Sequence, residues 1–287
     1  MYPPPIQDRP LPVRVAYRVV LYVAIAAWIA PLIAIVMTAI RAQGDLLAGN
    51  YWGMPQHFVL VENFREIFAS SPMGMFFVNS IVVTVTTVVG VLVLSTLAAV
   101  ALAKYPFPGR TLVFSMFIAG NFVPYQILMI PVRGIVLSLG LYDSIWALII
   151  FHTAFQTGFA TLFLRNFVVA LPNELFEAAR LEGASEFTII WQIIVPLLRP
   201  ALAGLSVLVF TFVWNDYFWA LVLVQSDAAK PLTLGLAGLK GEWLTAWNLI
   251  SAGSLAAALP PVVLFFLTQK HFVAGSRSEL SNRRTMA

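Results

Sequence analysis

One carboxylate lies deep within an apolar segment. The run Trp214-Asn215-Asp216-Tyr217 falls in residues 201–224, and Asp216 is the only acid within the six long apolar stretches of the chain. A polar group in hydrocarbon is costly unless it faces a cavity or meets a partner. Trp214, Asn215, Asp216 and Tyr217 therefore read as a cavity wall or as hydrogen-bonding groups at a subunit interface, in preference to direct ligand contacts. In residues 144–164, His152 and Gln156 are four apart and share a helical face, with Thr153 and Thr157 beside them. Lining a passage and hydrogen bonding between helices are both open for this pair. In residues 111–130, Asn121, Tyr125 and Gln126 flank Pro124 as a third candidate lining.

A second cluster is acidic. Residues 173–200 hold Glu174, Glu177, Glu182 and Glu186, four of the thirteen acids, although long apolar stretches flank them. The spacing predicts two short helices. Asn173 suits an N-cap and Glu174 the positive helix end. Leu175, Phe176, Ala178 and Ala179 form a small apolar face, and Gly183 can supply the positive φ that ends the helix. Ser185 can cap the second helix, where Ile189, Ile190, Ile193, Ile194 and Leu197 recur at helical spacing. Pro196 and Pro200 then punctuate the approach to the next apolar stretch. A plain amphipathic helix on the membrane surface is the alternative, but three glutamates against Arg180 alone suit an anionic leaflet poorly.

Other chemistries are missing from the sequence. No Gly-x-x-x-x-Gly-Lys-[Ser/Thr] is present to cradle nucleotide phosphates. His57, His152 and His271 fall in separate segments without metal-ligand spacing, and no Gly-x-Ser-x-Gly elbow occurs. The chain has no cysteine, and no basic tract with interleaved aromatics suggests nucleic acid.

The elements that must position these residues follow from hydropathy. Of 287 residues, 60% are hydrophobic and 10% charged, against about 25% charged in soluble domains, and mean hydropathy is +0.86. The chain reads as an all-α membrane protein in contact with lipid. Six stretches approach the roughly 20 residues a span needs: 16–40, 80–103, 111–130, 144–164, 201–224 and 249–268. Residues 1–15 form a tail, 16–270 a six-helix transmembrane domain, and 271–287 a second tail. The first stretch is too long for a signal peptide's apolar region and reads as a retained span. Pro31, Pro124 and Pro260 predict kinks.

An even number of spans puts both termini on one side. That side carries Arg9, Arg14, Arg18, Lys104, Arg110, Arg165, Arg180, Arg199, Lys270, Arg277, Arg283 and Arg284; the other carries Arg41, Arg65, Arg133, Lys230 and Lys240. Twelve against five makes the first side cytoplasmic, and residues 173–200 with it. The outer loop 41–72 contains a short helical pattern over residues 62–68 and reads as a pore cap, a contact for an external partner or an interfacial helix. The turn 104–110 orients its hairpin and receives no further role.

Residues 173–200 resemble the EAA loop of bacterial ABC-importer permeases, whose pattern is Glu-Ala-Ala, three residues, Gly, nine residues, Ile, one residue, Leu-Pro. It maps onto Glu177, Ala178, Ala179, Gly183, Ile193 and Pro196, with Val195 in place of Leu. Beyond the loop, Asn79-Ser80, residues 107–110, 123–126, 214–216, 231–236 and 269–275 follow the carbohydrate-uptake class in order, and the chain is similar to the smaller permease of maltose-type importers. The tail after Gly275 departs from that pattern, so a tail contact with an ATPase has no support there.

The resemblance implies a non-catalytic subunit of the bacterial inner membrane with both termini cytoplasmic. Its partners would be a second related permease, an ABC ATPase dimer and an extracytoplasmic solute-binding protein. The coupling helix, with Glu177, Ala178, Ala179, Arg180, Gly183, Ala184 and Pro196, would dock on the ATPase. ATP and Mg would be bound by that ATPase, with no cofactor on this chain. An ion- or proton-coupled secondary transporter, with Asp216 as its site, is the alternative from another class.

Overall fold

The computed structural model describes residues 6–239 and 245–285, without the side chains of Asp8 and residues 270–285. Lys240 and the side chains of Lys270, His271, Arg277, Arg283 and Arg284 lie outside the described residues, as does most of the 269–275 motif. Every described element is a helix. Four helices are long and apolar enough to cross a membrane, or six if each of two bent pairs counts as one span. The chain divides into two units, residues 1–71 with 238–256, and residues 72–237 with 257–287.

The first unit begins with α1 (Leu11–Ala39), which runs on through Pro31 and buries only Ala39. A helix apolar on every side needs lipid or protein around it. The loop that follows, with α2 (Gln43–Leu47) and α3 (Leu60–Ser70), is built around Arg41. That side chain is fully buried and donates to the carbonyls of Asn50, at 2.9 Å, and Gly53. Asn63 donates to the carbonyls of Ala39 and Arg41 and accepts from Asn248 at 2.8 Å. Buried polar groups need such partners, so this arginine is spent on holding the loop.

The second unit contains α4 (Met73–Lys104) packed along α7 (Ile145–Val169). Small and β-branched residues let the two approach: Val91, Ala99 and Val100 on one, Ala147, Ala160 and Val168 on the other, all buried. A Cβ on Gly90 would lie 3.1 Å from the Thr153 methyl, which marks how close the helices come. In chain order, α5 (Arg110–Asn121) and α6 (Met129–Ser138) come between the two, joined by a 3₁₀ turn at Tyr125–Leu128. The bend between these halves is 98°. Pro124 lacks an N–H and disfavours helical geometry in the residue before it, so the third expected apolar stretch is two helices and not one.

After α7 come α8 (Glu174–Leu181), α9 (Glu186–Leu197), α10 (Arg199–Trp214), α11 (Phe218–Leu223) and α12 (Leu232–Gly238). The expected continuous span 201–224 is therefore two helices, interrupted at residues 215–217. A further bend of 79° separates α9 from α10. The last helix, Trp247–Thr285, passes through Pro260 and Pro261 without interruption.

Candidate functional site

A cavity of about 860 Å³ lies in the second unit. Seven of the nine polar or aromatic candidates line it: Asn121, Tyr125, His152, Gln156, Asn215, Asp216 and Tyr217. Trp214 does not. It is buried, and its indole N–H donates to the Ala257 carbonyl at 2.9 Å, making it an anchor for the last helix. Gln126 is exposed in the 3₁₀ turn and is not among the lining residues.

Asp216 explains the interruption of the fifth span. Its carboxylate oxygens accept the backbone N–H groups of Trp219 at 3.3 Å and Ala220 at 3.1 Å, capping α11 from within the protein. His152 Nε2 lies 3.4 Å from the same carboxylate, and both side chains are largely buried. The Asp216 carbonyl accepts from Thr233 Oγ1 at 2.6 Å, which ties α12 to the same point. The acid is part of the cavity wall and also a cap, the second role being one that the sequence reading did not include.

Aromatic rings complete the wall, and composition alone did not single them out. Phe155 and Phe159 follow Phe151 at four-residue steps beside His152 and Gln156, and the Phe151 ring lies 3.8 Å from that of Trp219. The i, i+4 strip was the available signal. The cavity lining contains no Lys or Arg.

The acidic loop has a different construction. Gly183 takes φ +82°, and the N–H groups of Gly183 and Ala184 donate to the carbonyls of Arg180 and Ala179, a Schellman ending for α8. Ser185 caps α9, its Oγ accepting from the Thr188 N–H at 3.1 Å. Asn173 stands at the N-cap position without capping; its side-chain oxygen instead accepts from Lys104 Nζ at 2.8 Å. Of the expected apolar face only Phe176 and Ala179 are buried, while Leu175 and Ala178 face outward.

Within α9, residues Ile189–Ile194 form a π-helix. Pro196 cannot donate to the carbonyl one α-turn back and crowds it, which favours a wider turn. The widened turn brings Ile189 and Ile194 to one buried face and exchanges the expected Leu197 for Leu198.

Charged groups join the two halves of this elbow. Arg180 Nε donates to Glu186 Oε1 at 2.8 Å, and the Tyr105 hydroxyl donates to Glu186 Oε2. The guanidinium stands 5.6 Å from the Tyr105 ring centre. The Glu186 hydrogen bond holds Arg180 more firmly protonated than usual, while burial, and then the bond to Glu186, push the Tyr105 hydroxyl up. Lys104 Nζ also donates to the Leu171 carbonyl at 2.6 Å and lies over the Phe176 ring. Lys104 and Tyr105 of the turn 104–110, which the sequence reading credited only with orienting its hairpin, thus hold the elbow. Glu174, Glu177 and Glu182 are exposed, as are Leu181 and Phe187. Among the described residues no three His, Asp or Glu side chains converge as a metal would need.

Over 271 residues the chain is 34% identical to the osmoprotective compounds uptake permease protein GgtD of Synechocystis sp., covering 92% of this chain and 90% of the relative. It is 31% identical to the arabinooligosaccharides transport system permease protein AraQ of Halalkalibacterium halodurans, covering 85% and 88% respectively. The fold matches a chain of a bacterial ABC transporter involved in the import of the acidic polysaccharide alginate, with TM-score 0.78 and 23% identity over 90% of this chain and 95% of that one. Residues 91–271 match the binding-protein-dependent transport system inner membrane component family, and this multi-pass membrane chain belongs to it.

Proposed function

We propose that the chain is the permease of an ATP-driven importer of neutral carbohydrates or polyols, with the cavity as part of the solute path and the elbow as its contact with a separate ATPase. The observation that carries the solute class is the cavity wall. Aromatic faces alternate with amides, Thr211 and one carboxylate, and no cation is present. Sugar rings offer apolar faces and many hydroxyls, which such a wall can match. An acidic polysaccharide would meet Asp216 without a countercharge. The name of AraQ supports a carbohydrate solute.

The elbow offers Leu181 and Phe187 as apolar contacts, flanked by Glu177 and Glu182. A complementary groove would have an apolar floor and a basic rim. The residues for this contact are Glu177, Ala178, Arg180, Gly183 and Ala184, with Pro196 setting the direction of α9. Ala179 acts from inside, since it packs against the protein itself. ATP and Mg belong on the partner ATPase, and the cytoplasm is the side of the elbow and of both termini. A second related permease and an extracytoplasmic solute-binding protein complete the assembly.

The His152–Asp216 pair could suggest proton coupling, but the Asp216 carboxylate is committed to the N–H groups of α11, which suits a structural cap. The test is uptake of arabino-oligosaccharides and of small neutral polyols by vesicles carrying the reconstituted complex. Uptake is expected to require internal ATP and to survive an uncoupler. Uptake that ignores ATP and collapses with the uncoupler overturns the assignment.

A further inference from the structure

The elbow and residues 225–233 are held by the same pair of helices. At one end of α4, Lys104 and Tyr105 grip the elbow on both sides of Gly183. Lys104 bonds the Leu171 carbonyl and Asn173 ahead of it, and Tyr105 bonds Glu186 beyond it. Near the other end, Asn79 Nδ2 donates to the carbonyls of Ala228 and Lys230, at 2.9 and 3.0 Å. Ser80 Oγ accepts the Leu232 N–H at 2.8 Å.

Asn79 and Lys104 are about 38 Å apart along a helix rising 1.5 Å per residue. No proline interrupts the 32 residues of α4. Packed along it, α7 follows Asp143, whose Oδ1 accepts the N–H groups of Gln225 and Ser226 at 2.7 and 2.8 Å. Other routes through the unit bend or break, at 98° between α5 and the segment Tyr125–Ser138 and at 79° between α9 and α10. The chain itself joins α7 only to the start of α8. The start of α9 is tied to the pair through Tyr105.

We propose that α4, stiffened by α7, is the rod that carries movement of the elbow to residues 225–233, with Tyr105 and Lys104 as positioning residues at one end and Asn79 and Ser80 at the other. The proposal rests on the ATP-coupled function above. Thr233 is bonded to Asp216 of the cavity wall, so displacement of the rod reaches the wall as well. A rigid element held at both ends by hydrogen bonds, several to charged groups, transmits displacement; one whose grip is removed slips.

The chain has no cysteine, so Ala228→Cys, at an exposed position, provides a single reporter on it. In the purified complex with its ATPase, the rate at which N-ethylmaleimide labels this chain is measured with and without ATP and vanadate. The nucleotide is expected to change the rate about tenfold in the Ala228→Cys parent. Adding Tyr105→Phe or Asn79→Ala is expected to reduce the response to less than about twofold, with the same amount of ATPase co-purified. A full response in both variants overturns the proposal, as does a parent whose labelling ignores the nucleotide. A chain that retains no ATPase at all refutes the functional assignment instead, so the two failures are distinguishable.

Discussion

Two of the helix breaks in the second unit are made of opposite materials. At the elbow the break is conformational. Gly183 sits at φ +82° with open space where a Cβ would be, and its neighbours are charges exposed to water. At residues 215–217 the break is chemical, because a largely buried carboxylate replaces the missing helical acceptors for Trp219 and Ala220. The elbow satisfies its own backbone and leaves glutamates and large apolar side chains facing outward, as the proposed docking on an ATPase requires. The interior break uses up its polar groups inside the fold. Surface charge can therefore change at the first with little effect on folding, whereas the second tolerates almost no loss of an acceptor.

The sharpest way to break this comparison is at the elbow. Glu177→Lys is expected to leave the protein inserted while uptake falls by roughly two orders of magnitude, the size of a charge reversal at a docked surface costing about 3 kcal/mol. Gly183→Pro is expected to do the same, since proline cannot adopt a positive φ. Wild-type uptake by either variant would remove the coupling role.

Asp216→Ala should act on the other break. It is expected to cost about 1–3 kcal/mol by leaving two buried N–H groups and His152 without their acceptor, read as earlier thermal unfolding in detergent. Asp216→Asn keeps an acceptor and should recover most of the loss. An alanine variant as stable as the parent would show that the carboxylate is there for the solute alone.

The smallest expected effect concerns Asp143. The N–H groups of Gln225 and Ser226 hold its carboxyl below the usual 3.8. A carboxyl lowered by folding stabilises the folded state above its ordinary value, and that contribution fades as pH falls below it. Melting temperature should therefore drop more steeply in acid for the parent than for Asp143→Asn, which keeps the acceptor but does not titrate. Parallel melting curves would place the proton-sensitive contacts elsewhere.

Legibility differed between the two regions for a physical reason. The elbow is local. Its caps, its glycine and its acidic face lie within 28 consecutive residues of sequence, and the expected Gly183 and Ser185 geometries are present. What escaped was contact at long range, because Asn173 meets Lys104 and Glu186 meets Tyr105 from a different hairpin. The cavity candidates were found by their cost in lipid, which applies to any polar residue in a span. That criterion did not separate Trp214, satisfied by a carbonyl 43 residues away, from Asn215, which lines the cavity.

Hydropathy and spacing by themselves determined that the chain is helical and membrane-embedded, that residues 173–200 form two helices about a glycine, and that Asp216 has a special environment. These follow from periodicity and from transfer energies, which each residue carries with it. Only the tertiary structure decided that the third and fifth apolar stretches are each two helices, that α9 widens before Pro196, and that Asp216 is a cap shared with His152 and a cavity. Those outcomes depend on which distant donor or acceptor reaches a given atom, and hydrogen bonds between remote segments leave no period in the sequence.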